Sequence, residues 1–138
     1  VEDERQSAEL IEKNLAKTKL KGRVRNQDVF EFFRQASNTD KFQIIFADPP
    51  YEKTKHGESH TEKLLNNKNL SQLLESRGIF VFEKRPGEAV AEKQLWHVIR
   101  QKTYGATEVL FLVHSAIRDA PSSTPIVNRE HAKNFGVP

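Results

Sequence analysis

Cysteine and methionine are both absent from the sequence. Without cysteine there is no disulfide framework and no thiolate chemistry. No run of about 18 apolar residues occurs, so no transmembrane helix is expected. The opening Val1-Glu2-Asp3-Glu4 is acidic, whereas a signal peptide opens with positive charge. A cytoplasmic protein with no membrane partner is the expectation. Methionine is missing even at position 1, and the chain opens inside what reads as the end of a strand. A portion preceding Val1 is therefore expected. The six glycines are scattered and none forms G-x-G. The sequence thus lacks the kind of loop that lets backbone approach a phosphate or cofactor closely. No Ser/His/Asp triad, P-loop or internal repeat is evident.

What is present suits one domain of 138 residues with one core. With 36% hydrophobic and 30% charged residues, the chain is polar for a globular domain but not disordered. Nine phenylalanines and recurrent Leu, Ile and Val clusters supply the apolar mass for a core. A net charge of +3 and a pI near 9.2 are compatible with a nucleic-acid partner. The charges are mixed rather than blocked, so they suit a solvated surface equally well.

Periodicity predicts a helix over residues 3–19, capped by Asp3, with Ala8, Ile11 and Leu15 on one face and Gly22 as its stop. Arg23–Arg25 is a short strand candidate. Asp28 and Glu31 form a D-x-x-E capping box for a second helix, with Val29, Phe32, Phe33 and Ala36 inward. Phe42–Ala47 is a nearly continuous apolar run, the pattern of a strand buried on both faces of a parallel sheet. Residues 61–76 read as helical with a break at Asn66-Asn67 and an end at Gly78. Ile79–Phe82 reads as another buried strand closed by Glu83. Leu95–Lys102 and Thr107–Val113, joined through Tyr104-Gly105, read as an antiparallel hairpin. The segment 114–138 is polar and Pro/Ser-rich, and irregular structure is expected there. Helices alternating with strands imply a parallel α/β sheet.

Chemistry concentrates at Asp48-Pro49-Pro50-Tyr51, which ends the first apolar strand. Ligands of open α/β sheets bind at such carboxyl ends. Two prolines fix the backbone and remove two N–H donors. They leave the Asp48 carboxylate and the Pro49 carbonyl as rigidly held acceptors. An exocyclic NH2 offers two donors to match them, and holding both aims the nitrogen lone pair outward. Tyr51 can stack on a base. Positioning and electrostatics then carry the catalysis. The plainer alternative is a strand-ending turn with a structural aspartate. Lys53, Lys55 and His56, with His60 and Lys63, could meet phosphates beside such a base, as could Lys84 and Arg85. Solvated surface is the plainer interpretation of all of them. His56 and His60 lack an evident third metal ligand, and Gly57 disfavours a helix between them, so no metal is expected. Trp96 fits a core better than a base-stacking role.

The motif Phe46-Ala47-Asp48-Pro49-Pro50-Tyr51 resembles the signature loop of amino-group methyltransferases. Val1-Glu2, Arg5, Glu12-Lys13-Asn14-Leu15, Asn26–Phe30, Gly78–Glu83, Tyr104-Gly105 and Val109–Val113 resemble further segments of one such family. Together they resemble the RsmD family, which methylates guanine N2 in bacterial small-subunit ribosomal RNA. The resemblance implies an α/β, Rossmann-like class I methyltransferase fold. Its sheet is mostly parallel, with a C-terminal antiparallel hairpin and the first strands missing. Residues 1–113 would be the C-terminal part of the methyltransferase domain, and 114–138 a tail. It implies S-adenosylmethionine as cofactor, with Glu2 on the ribose hydroxyls, Asp28 accepting from the adenine amine and the Val29 amide nearby. Asp48, Pro49, Pro50 and Tyr51 would hold the target base, and the partner would be rRNA in the small subunit or its assembly intermediate. The family's glycine-rich loop has no counterpart here, so weak cofactor binding by this stretch alone is expected. Two alternatives remain open: an adenine-N6 or cytosine-N4 methyltransferase, and a noncatalytic RNA-binding relic.

Overall fold

The computed structural model describes residues 1–36, 39–50, 59–88 and 95–115. Helix α1 spans Arg5–Thr18. Its N-cap is Glu4 rather than Asp3, and the Glu4 side chain makes no capping bond to backbone; it accepts from the Ser7 hydroxyl instead. The helix ends at Lys19, which takes a left-handed conformation (φ 56°), so Gly22 is not the stop. Gly22 serves a close approach: a Cβ there would lie 2.9 Å from the Leu15 side chain. Arg23–Arg25 forms no strand. An isolated parallel bridge joins Glu2 to Asn26, with Glu2 N–H donating to Arg25 O and Gln27 N–H donating to Glu2 O, both at 3.0 Å.

Helix α2 (Val29–Gln35) starts as expected at Asp28, whose carboxylate accepts from Glu31 N–H at 2.9 Å. The Glu31 carboxylate pairs with Arg34. Phe30 and Phe33 are the residues this helix buries, with Val29, Phe32 and Ala36 packed partly against the same core. Helices α3 (His60–Leu65) and α4 (Lys68–Leu73) flank the expected break, and Asn67 caps α4 by accepting from Leu70 N–H. Gly78 does not end a helix. The chain is already in a strand from Leu74, and Gly78 lies where a Cβ would come within 2.8 Å of Leu74 and 3.0 Å of the Gln43 carbonyl.

Four strands form one sheet: β1 (Phe42–Ala47), β2 (Leu74–Lys84), β3 (Trp96–Tyr104) and β4 (Thr107–His114), in the order β1-β2-β4-β3. β1 and β2 are parallel, with Ala47 beside Phe82; β2–β4 and β3–β4 are antiparallel. The hairpin between β3 and β4 turns at Gly105-Ala106, and Gly105 has φ 58°, which glycine adopts without strain.

The core lies on one face of the sheet. Phe80, Phe82, Leu110 and Leu112 meet Leu64, Leu65, Leu70 and Leu73 from α3 and α4, with Phe30, Phe33 and Trp96 completing it. Trp96 is a core residue: its indole N–H donates to Leu65 O at 2.9 Å, and its ring centroid is 4.9 Å from that of Phe80. β1 departs from expectation. It is an edge strand, and Phe42, Ile44 and Phe46 on its second face are 41%, 67% and 63% exposed.

Candidate functional site

The carboxyl end of β1 delivers Asp48, Pro49 and Pro50 to a cleft of about 970 Å³, a size usual for small-molecule sites. Ile44 and Phe46 of β1 line this cleft together with Glu2, Asp28 and Val29. The structure thus brings together residues separated by more than forty positions of sequence. The Glu2–Asn26 bridge ties Glu2 to the segment preceding α2, and the Asn26 side-chain amide donates to the carbonyls of both Glu2 and Asp3. One Glu2 carboxylate oxygen accepts from Glu4 N–H, and one Asp28 oxygen is used by the α2 cap. Each carboxylate has a second oxygen, and Val29 N–H belongs to the first helical turn, which has no intrahelical acceptor. Carboxylate acceptors, an amide donor and apolar walls in one cleft fit the ribose hydroxyls, amino group and ring of an adenosine moiety.

The Asp48 carboxyl is shifted in acidity. Partial burial of the carboxyl first, and the neighbouring Glu83 carboxylate second, push it above its ordinary value, although the residue as a whole is exposed. Glu83 stands one step beyond the Ala47–Phe82 pair of the parallel ladder. Sequence patterning registered it as a strand end. Its position beside Asp48 becomes visible only with the register.

Lys84 is a correction. It is 4% exposed, lies on the core face after Phe80 and Phe82, and forms an ion pair with Glu108. Its ammonium also donates to Arg85 O at 3.0 Å and Glu88 O at 2.8 Å, which ties down the turn after β2. It does not belong to a basic rim, whereas Arg85 is exposed. Ser59 Oγ donates to Glu88 Oε1 at 2.6 Å and joins that turn to the start of α3. The Lys63 ammonium sits 4.0 Å from the centroid of the Phe30 ring. Tyr51, Lys53, Lys55 and His56 lie outside the described residues. Among the described residues no group of three or more His, Asp or Glu could hold a metal ion, and no helix is long and apolar enough to cross a membrane.

A profile of the family described as Conserved hypothetical protein 95 matches residues 1–113. No curated protein matches the chain. Solved structures do. A Haemophilus influenzae protein described as a methylase is 22% identical, with a TM-score of 0.60, over 80% of this chain and 67% of its own. An Escherichia coli protein described as a methyltransferase is 23% identical, with a TM-score of 0.60, over 83% and 61%. A conserved protein of Streptococcus pyogenes is 21% identical, with a TM-score of 0.65, over 83% and 69%. The chain therefore spans between 61% and 69% of these proteins. At such identities the likeness shows the fold, which is the Rossmann-like fold of methyltransferases.

Proposed function

Because this chain belongs to the RsmD family, matched across residues 1–113, we propose that it transfers a methyl group to the exocyclic N2 amine of a guanine in small-subunit rRNA. The observation that carries the proposal is the Asp48-Pro49-Pro50 turn at the end of β1, in the same cleft as Glu2 and Asp28. S-adenosylmethionine, when bound, supplies an electrophilic methyl group. Glu2 holds the ribose hydroxyls of that cofactor, and Asp28 with the Val29 amide holds its adenine.

The reacting amine belongs to the other side of the site. Its two N–H groups donate to the Asp48 carboxylate and the Pro49 carbonyl, and this directs the nitrogen lone pair away from both. The prolines hold these acceptors without competing donors. As the new N–C bond forms, the methyl group's bond to the sulfonium sulfur would break with its electron pair passing to that sulfur; positive charge grows on the nitrogen, and the fixed Asp48 carboxylate stabilises it. The proton leaves the nitrogen afterwards, so Asp48 need not be a strong base. Guanine is favoured by family membership, since the turn itself suits any exocyclic amine. The partner we propose is the small ribosomal subunit or its assembly intermediate in the cytoplasm, because a net charge of +3 is modest for binding naked nucleic acid.

Asp48→Ala in the full-length protein tests this. Methyl transfer is expected to fall by on the order of a hundredfold or more, while calorimetry shows unchanged cofactor affinity. Unchanged turnover in that variant contradicts the proposal.

A further inference from the structure

We infer that Glu83 makes the site select guanine, by accepting a hydrogen bond from the ring N1–H of a base whose amine lies on Asp48 and the Pro49 carbonyl. The inference rests on the amine-methylation function proposed above and adds the basis of its choice between bases.

The geometry comes from the parallel β1–β2 ladder. Phe46 pairs with Val81 and Ala47 with Phe82, so the next step sets Asp48 beside Glu83. Neighbouring parallel strands lie about 4.8 Å apart. Side chains alternate along β2. Phe80, Phe82 and Lys84 are buried on the core face, and Ile79, Val81 and Glu83 are half-buried on the other. Asp48 follows Phe46 on that same second face. Lys84 is turned away, paired with Glu108. The two carboxylates therefore rise together at adjacent strand ends, and the acidity of Asp48 registers the neighbour.

Base chemistry then distinguishes the substrates. Guanine N2 lies next to N1–H, a donor. Adenine N6 lies next to N1, and cytosine N4 next to N3; both are ring nitrogens presenting a lone pair. Acceptors on Glu83 and Asp48, neighbours across the ladder, together with the Pro49 carbonyl would match the adjacent donors of guanine. With adenine or cytosine, the Glu83 carboxylate faces a ring lone pair and the contact becomes repulsive. A site built to pair with a substrate N–H rejects analogues lacking it far more strongly than shape alone allows.

Wild-type protein and Glu83→Gln are compared on small ribosomal subunits reconstituted with RNA that carries guanine or 2,6-diaminopurine at the position that wild type methylates. Both bases carry the 2-amino group, but diaminopurine has a lone pair at N1. Wild type is expected to prefer guanine by on the order of a hundredfold or more in kcat/KM, and to bind the guanine RNA more tightly at equilibrium. In Glu83→Gln the amide can turn its NH2 toward the lone pair, and the preference is expected to shrink to about tenfold or less. Loss of packing alone would weaken both substrates equally and leave their ratio unchanged. An unchanged ratio in folded Glu83→Gln overturns the role of Glu83 and leaves the amine-methylation function standing. Failure of wild type to form N2-methylguanine in any ribosomal RNA overturns both.

Discussion

Asp48 carries two opposed demands. Accepting from an amine requires its ionised form, yet partial burial and Glu83 both favour the protonated one. A raised carboxyl is protonated up to a higher pH, so activity is lost as pH falls through that raised value. The acid limb of kcat/KM should therefore lie above the ordinary aspartate value of about 3.9. Removing the Glu83 charge removes the second cause, and Glu83→Gln should move the limb to lower pH. A pH–rate profile on both proteins checks this, and coincident limbs would contradict it. At this scale the sequence is uneven as a guide. Asp48 is legible because two prolines follow an apolar run. Glu83 is not, because its neighbour across the ladder depends on register. Lys84 misleads because Glu83 and Arg85 beside it read as surface; extending the alternation from Phe80 and Phe82 by one step places it in the core, where the Glu108 carboxylate compensates its charge.

Among the elements, the β1–β2 pair matters most, because it sets Asp48 and Glu83 side by side. Gly78 sits at the start of their regular register, with space for hydrogen only against Leu74 and the Gln43 carbonyl. Gly78→Ala should force the two strands apart locally and cost about 1–3 kcal/mol of stability, read as a lowered denaturant midpoint. An unchanged midpoint would show that the contact relaxes freely. Strand identities were legible from apolar runs and turn residues, and the Asn66-Asn67 break and the hairpin follow from the same signals. Helix ends were less so. The stop at Lys19 uses a left-handed non-glycine residue, and Gly22 and Gly78 are needed for close contacts that no linear pattern displays. Apolar content states what a strand can bury, while the exposure of Phe42, Ile44 and Phe46 among the described residues depends on which layers pack against β1.

At the scale of the molecule, one core shared by the four strands and their helices sets the carboxyl end of β1 in the same cleft as Glu2 and Asp28. The cleft thus lies at the carboxyl end of β1, where open α/β sheets place their ligands. Alternation of helices and strands made the α/β class legible. The assembly of Glu2, Asp28 and Asp48 into one cleft came from family resemblance, since composition carries no information on such distant pairing. With little excess charge, the binding surface for RNA should come largely from a preformed ribonucleoprotein. The direct measurement supplies the protein with radiolabelled S-adenosylmethionine and, separately, small ribosomal subunits, free rRNA and duplex DNA, followed by nucleoside analysis. The expected result is N2-methylguanine, with more label in subunits or their intermediates than in DNA. Label recovered as N6-methyladenine from DNA, with no N2-methylguanine from either ribosomal sample, would contradict the proposed function.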